Sequence, residues 1–462
     1  MFTISISERV LLSGIVSSVL MVVLTLILGR FFCGWICPLG TTIDMVGNLR
    51  KKSPLRESTN SKLRLPKFIF LGAILFFCVL GVQMAWFFDP MVIMARFISL
   101  NLIPTITLVL DKISIVAIKV FGFNTGIYDF YRTLKSSVLG VHVYYFAHSG
   151  VIFLFFLTIV GASLALSRFW CRAICPLGAM YSFLANFSFL KRSIKSCNGC
   201  KKCRSNCRMG AIKDDLSYAS GECILCMDCI YDCPENITQF KFRAFSNKRK
   251  NSIHLDEKGM SRRNFLLLLA VSSFSSLGFR YKPRAKWFIS KLSIIRPPAA
   301  LKEDDFLDRC IRCGNCMKVC ITNGLQPAFL QTGFTGIWTP HLVPEIGYCE
   351  YQCTLCGSVC PTGAIRKVSV QEKKRVRLGF AQIDRSMCLP WADKTECIVC
   401  QEHCPVADKA IKLIREDLGD RVIFMPYVDR SLCVGCGICQ NKCPVRPVRA
   451  VKVYPFKSRR IL

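Results

Sequence analysis

Cysteines spaced as Cys-x2-Cys-x2-Cys-x3-Cys, or close to it, recur along this chain, and no other feature limits its folding as much. The runs are Cys197, Cys200, Cys203 and Cys207; Cys223, Cys226, Cys229 and Cys233; Cys310, Cys313, Cys316 and Cys320; Cys349, Cys353, Cys356 and Cys360; Cys388, Cys397, Cys400 and Cys404; and Cys433, Cys436, Cys439 and Cys443. Thiols so close along a chain cannot all pair with one another without strain, yet one tight loop wraps them readily around a metal cluster. Only five histidines accompany the 29 cysteines, and the runs are three-plus-one rather than paired Cys-x2-Cys, which argues against zinc. Six runs imply six [4Fe–4S] clusters.

Hydrophobic residues make up 52% of the 462-residue chain, too many for an ordinary soluble protein, so part of it is expected in lipid. The formal charge of +32 does not indicate nucleic acid, because the basic residues gather beside apolar runs rather than with aromatics in a polar domain. Leu11 to Gly29, Phe68 to Phe88 and Ser149 to Ser167 are uncharged and are expected to cross the bilayer. Arg30 to Lys67 holds eight Lys or Arg against Asp44 and Glu57, and Arg168 to Lys250 holds 15 against six acids. Both segments are therefore expected in the cytoplasm. Met91 to Phe123 is broken by Arg96, Pro104, Asp111, Lys112 and Lys119, and reads as interfacial or re-entrant helices that do not cross. Arg96 reads as a snorkelling side chain in preference to a quinone contact, Cys78 as packing within a span, and His142 and His148 as interface hydrogen-bonding groups in preference to haem ligands.

The first and third spans end alike, in Arg30-Phe31-Phe32-Cys33-Gly34-Trp35-Ile36-Cys37-Pro38-Leu39-Gly40 and Arg168-Phe169-Trp170-Cys171-Arg172-Ala173-Ile174-Cys175-Pro176-Leu177-Gly178. This internal repeat carries two Cys-x3-Cys-Pro motifs, each pair about one helical turn apart, so Cys33, Cys37, Cys171 and Cys175 are candidates to converge. A metal, a cluster and a dithiol all remain open there. A second signal lies at Ser261-Arg262-Arg263-Asn264-Phe265-Leu266 and the apolar run to Phe279, which looks like a twin-arginine export signal. It is expected to place the chain beyond it outside the cytoplasm; the plainer reading is a linker helix with a basic start.

The fold expected is a multi-domain membrane protein: an α-helical transmembrane domain over residues 1–190, a two-cluster ferredoxin domain over 191–250, the twin-arginine-like segment and basic linker over 251–300, and a four-cluster domain over 301–462, the cluster modules being α+β and ferredoxin-like. The first two runs resemble the bacterial two-cluster ferredoxin, which implies Cys197, Cys200, Cys203 and Cys233 on one cluster and Cys223, Cys226, Cys229 and Cys207 on the other. In the last four runs the gaps are nearly equal, and sequence leaves open whether neighbours pair or outer runs pair around inner ones.

At these motifs residues 11–250 resemble the NapH-type membrane quinol dehydrogenase family and residues 260–455 the NapG/MauM-type polyferredoxins, with 101–147 looking like an insertion. The resemblance implies oxidation of membrane quinol and delivery of electrons through the clusters to a redox partner such as a cytochrome or reductase, in an inner membrane. No phosphate loop, Gly-x-Gly-x-x-Gly or catalytic triad competes with a relay. The alternative is a metal reductase or assembly factor that binds an ion such as copper at the Cys-x3-Cys-Pro pairs; a scaffold that docks a catalytic subunit is a third reading.

Overall fold

The computed structural model describes residues 15–48, 64–79, 83–121, 125–135, 144–194, 197, 199–213, 216–235, 237–242, 294–329, 331, 333–417 and 422–456. The twin-arginine-like stretch and His142 lie outside these residues. The chain divides into two compact units, one of Met1–Met94 with Phe153–Lys282 and one of Ala95–Ile152 with Pro283–Leu462. This partition differs from the linear division expected from sequence, because residues 95–152 join the half that carries the last four cysteine runs.

In the first unit, apolar helices α1 (Ile15–Leu28) and α3 (Leu65–Val79) pack on α8 (Pro176–Ala185), with α2 (Pro38–Asn48) following the first Cys-x3-Cys-Pro motif. The span expected at Phe68 to Phe88 is described as α3 up to Val79 and, after residues 80–82, which lie outside the described residues, as a separate turn at Ala85–Phe88. Strands β1 (Leu190–Ile194) and β2 (Thr238–Phe242) pair antiparallel from Leu190 opposite Phe242 to Ile194 opposite Thr238. They close the segment holding the first two cysteine runs.

The region expected to be broken is instead continuous. Pro90–Val120 forms one helical run of 31 residues, made of α4 (Pro90–Phe97), a π turn at Ile98–Leu102 and α5 (Ile103–Phe121). Pro104 does not stop it, because it follows directly on the π turn at Ile98–Leu102, whose wider winding accommodates the ring and the missing N–H. Asp111 is no breaker either: its carboxylate accepts bonds from Tyr131 (2.5 Å) and Lys135 (2.9 Å) at and just past the end of α6 (Thr125–Leu134). By length and composition this is the one helix among the described residues able to cross a membrane; the helices at Val16–Leu28, Leu65–Val79 and α7 (Ser149–Ala165) are shorter. At 1.5 Å per residue, the 15 residues of α3 cover roughly 22 Å of a core about 30 Å thick.

The second unit is built from antiparallel pairs that bring the two ends of each module together. Leu301 N–H bonds Ala364 O (3.0 Å) and Arg366 N–H bonds Ala299 O (3.0 Å), enclosing the third and fourth runs. Strand β5 (Gly379–Ile383) pairs with β8 (Val451–Pro455) around the fifth and sixth. Between these last two runs β6 (Ile411–Asp417) and β7 (Val422–Val428) pair in register from Ile411 opposite Val428, and β3 (Leu325–Pro327) pairs with β4 (Pro340–Leu342) in the preceding module. Each enclosure holds two runs, which gives the runs their partners.

Candidate metal centres

Within most runs the residue after the second cysteine is left-handed, and a one-turn helix carrying the third cysteine follows it. Lys201 (φ 56°), Met227 (φ 65°), Gly314 (φ 86°) and Gly437 (φ 86°) occupy this position. The turn reverses the chain so that three thiols face one centre. In the two runs with a stretched first spacing, the corresponding residues are Thr354 (φ −125°) and Ile398 (φ −113°); the longer loop makes the reversal unnecessary.

Four cavities in the second unit are each lined by four cysteines, three from one run and the fourth from its neighbour. Site I has Cys310, Cys313, Cys316 and Cys360 around ≈ 350 Å³ of empty space. Site II has Cys349, Cys353, Cys356 and Cys320 around ≈ 420 Å³. Site III has Cys388, Cys397, Cys400 and Cys443 around ≈ 330 Å³, and site IV has Cys433, Cys436, Cys439 and Cys404 around ≈ 340 Å³. Neighbouring runs therefore pair, the point that near-equal gaps left open.

The sites adjoin in the order I, II, IV, III. Burial raises the Cys316 thiol, and Cys356 and Cys360 across the module add to the effect. Cys349 N–H of site II bonds Cys436 O of site IV at 2.8 Å. Burial pushes Cys436 up to about 12, with Cys349 contributing, and Cys439 of site IV likewise feels Cys400 of site III. Backbone N–H groups point at the sulfurs: Ile365 at Cys360 (3.4 Å) and Ala381 at Cys433 (3.4 Å), the kind of contact that sets a cluster's potential.

In the first unit Cys207 stands close enough to Cys223, Cys226 and Cys229 to raise all three, after the larger effect of burial. Cys203 is raised by burial and feels Cys197 and Cys200. Cys197 and Cys200 are exposed and Cys233 half-buried. Arg192 on β1 donates to Cys203 Sγ at 3.3 Å, and Ala211 N–H to Cys207 Sγ at 3.2 Å.

The two Cys-x3-Cys-Pro motifs come together as well. Cys37, Cys171 and Cys175 are buried and Cys33 is half-buried. Burial raises the Cys171 thiol to about 12, with Cys33 and Cys37 adding and Arg168 and Arg30 opposing. Arg168 binds Asp44 through Nε (2.8 Å) and Nη2 (2.6 Å), and Arg30 binds Glu222 (3.2 Å), which Lys67 also holds at 2.5 Å. Asp44 sits seven residues past Cys37; the equivalent residue past Cys175 is Ser182, whose hydroxyl donates to Glu222 at 3.3 Å. The carboxylate missing from the second copy is thus supplied from beside Cys223. Sequence reasoning gave these charged residues no role, although their fixed offset within the repeat marks both arginines.

Fully sulfur donor sets with apolar walls suit iron–sulfur clusters. All 29 cysteines are unbridged, and among the described residues no three His, Cys, Asp or Glu side chains meet closely enough to hold a single metal ion. A cluster keeps its thiolates spread around its own bulk, so the two findings agree. Arg96, expected to snorkel, is buried at 1% exposure: its Nε donates to Arg312 O at 2.9 Å and its guanidinium lies 4.2 Å over the Trp338 ring. Cys78 is fully buried, beside Gln83. His148 stacks on Phe329 at 5.1 Å.

Comparison with known proteins agrees with this chemistry. A family described as 4Fe-4S binding domain matches residues 10–56 and again 149–195, one Cys-x3-Cys-Pro motif in each, and a second family of the same description matches 426–449. The chain is 35% identical over 167 residues to the ferredoxin-type protein NapG of Escherichia coli, covering 35% of this chain and 71% of that one. It is 34% identical over 164 residues to the methylamine utilization ferredoxin-type protein MauM of Methylorubrum extorquens, covering 35% and 72%. The chain belongs to the NapG/MauM ferredoxin-type family. An uncharacterized protein of Methanocaldococcus jannaschii is 28% identical over 250 residues, 52% of this chain and 86% of its own. No solved structure matches. Membership in the NapG/MauM family makes this an iron–sulfur electron-transfer protein.

Proposed function

We propose that the chain is a membrane-bound relay that oxidises quinol and passes the electrons to a redox partner protein, holding [4Fe–4S] clusters at all six cysteine runs. The observation that carries this reading is the unbroken series of sites I, II, IV and III. A [4Fe–4S] cluster, when bound, supplies one-electron transfer at each site. The protein's part is to hold the thiolates, exclude water with Pro, Val, Ile and Ala walls, and aim N–H groups at sulfur. In the first unit Cys197, Cys200, Cys203 and Cys233 are assigned to one cluster and Cys223, Cys226, Cys229 and Cys207 to the other.

Membrane attachment is supported by rows of exposed apolar side chains on uncharged helix faces, such as Val16, Leu20 and Val23 on α1 and Phe153, Leu154 and Leu157 on α7, surfaces that water disfavours and lipid accepts. Sidedness is supported by which segments each cysteine-rich half holds. Residues of the four-site half bond Arg96, Ser99 (to Asn315, 3.3 Å), Tyr145 and Ala147, all in the segment between the second and third proposed spans. Residues of the first two runs bond Arg30, Trp35, Arg64 and Lys67, in the basic segment after the first span. With Pro90–Val120, although long enough to cross, taken not to do so, the four-site half is assigned outside the cytoplasm and the two-run half inside, as the twin-arginine-like stretch also suggests. Site I, whose loop meets Arg96 and Ser99, is taken as the point where electrons come in.

The test uses the full chain in liposomes under anaerobic conditions with a quinol analogue. Bleaching of the cluster absorbance is the expected result, and its absence in protein that dithionite still reduces would remove the quinol reading.

A further inference from the structure

The two Cys-x3-Cys-Pro motifs match in detail beyond their sequence. Cys37 N–H bonds Phe32 O at 2.9 Å and Cys175 N–H bonds Trp170 O at 2.9 Å, the same wide turn in each copy. A Cβ built on Gly40 would meet Cys33 O (3.0 Å), Arg168 Nη1 (3.7 Å) and Cys37 Cβ (3.7 Å). One built on Gly178 would meet Arg30 Nη2 (3.2 Å), Cys171 O (3.3 Å) and Cys175 Cβ (3.4 Å). In both lists two neighbours belong to the glycine's own copy, and the arginine belongs to the other. Arg168 Nη1 also donates to Cys33 O at 3.0 Å. The copies therefore exchange arginines about a local two-fold, and an exchange of that kind has a single centre.

We infer that the repeats build one site rather than two: Cys33, Cys37, Cys171 and Cys175 together hold a single [4Fe–4S] cluster, with Arg30 and Arg168 each lying against the opposite copy's cysteine loop. This rests on the cluster reading of the chain and adds a centre to the six runs. Both guanidinium groups are buried, at 0% and 2% exposure, each also held by a carboxylate, Glu222 and Asp44, and they place positive groups beside a cluster whose four thiolates leave it with a net negative charge. The site opens onto the neighbouring run. A Cβ on Gly34 would lie 2.2 Å from Ile224 O, Trp35 Nε1 donates to Leu225 O at 2.9 Å, and Arg30 Nη1 to Gly221 O at 3.1 Å. Its first Cys pair thus packs on the loop that carries Cys223 and Cys226, which makes that run its electron-transfer neighbour.

Iron and acid-labile sulfide per chain, measured on anaerobically reconstituted full-length protein, test this. Cys33→Ser with Cys37→Ser removes about four irons, the content of one cubane, as does Cys171→Ser with Cys175→Ser, and all four changes together remove no more. Additive losses, or no loss in either pair, overturn the inference. Arg168→Gln leaves every thiol in place and serves if the serine variants do not fold: it lowers the midpoint potential of one centre with iron unchanged, and an unmoved set of potentials overturns the role given to the arginines. Wild-type protein without acid-labile sulfide would instead defeat the electron-transfer reading itself.

Discussion

Gly34 and Arg172 occupy the same position in the two copies of the repeat, and their difference shows what single residues decide here. Only copy one carries the Ile224 carbonyl against it, 2.2 Å from any Cβ that Gly34 might acquire, so only copy one must be glycine. Gly34→Ala is expected to cost about 1–3 kcal/mol as an overpacked contact, seen as a lower melting temperature with early loss of the neighbouring centre's EPR signal; Gly47→Ala, with open space around it, costs nothing. Arg96 acts on site I: it opposes the rise of the buried Cys313 thiol. Arg96→Gln should lower one midpoint potential in a redox titration, and Arg96→Lys should largely restore it. At His341, burial and then Arg296 depress the pKa from 6.5 to about 4, so the folded protein keeps the ring neutral while the unfolded chain takes a proton. Its contribution is full above about 6.5 and is lost as pH falls toward about 4. Melting temperatures between these values should fall less steeply in His341→Gln. The cysteines that line the four cavities were readable from spacing alone, whereas these three residues were not, since each acts through a fold contact with no local signature.

At the scale of elements, pairing of runs follows from strand pairing. β5 and β8 bring Gly379 opposite Pro455, and everything between them must find its partners inside that loop. Sequence could not show this, because the gaps between runs are nearly equal and the flanking strands are short, with ordinary β-forming residues. The consequence is a crossed ligand set: Cys360→Ser should abolish the same centre as Cys310→Ser, and Cys320→Ser the same centre as Cys349→Ser, in EPR spectra of the reduced protein. A Cys360 or Cys320 variant that instead loses the centre built on the other three cysteines of its own run would contradict the crossing. The long helix Pro90–Val120 was hidden for a related reason. Arg96, Pro104 and Asp111 look like breaks in a string, yet each is accommodated by something distant or geometric: Arg312 O and the Trp338 ring, a π turn, and the Tyr131–Lys135 pair.

For the whole molecule, composition already pointed to lipid and the cysteine runs to clusters, and the family relation agrees with the second. What sequence left open was the route. The order I, II, IV, III means that the sixth run, not the fifth, follows the fourth, and that site III ends the series. A break at site IV should therefore isolate site III alone. The most direct measurement is made on Cys439→Ser full-length protein in liposomes, reduced with a quinol analogue and frozen for EPR at increasing times. Sites I and II are expected to be reduced as in the wild type while site III stays oxidised; reduction of site III at the wild-type rate would contradict the order I, II, IV, III.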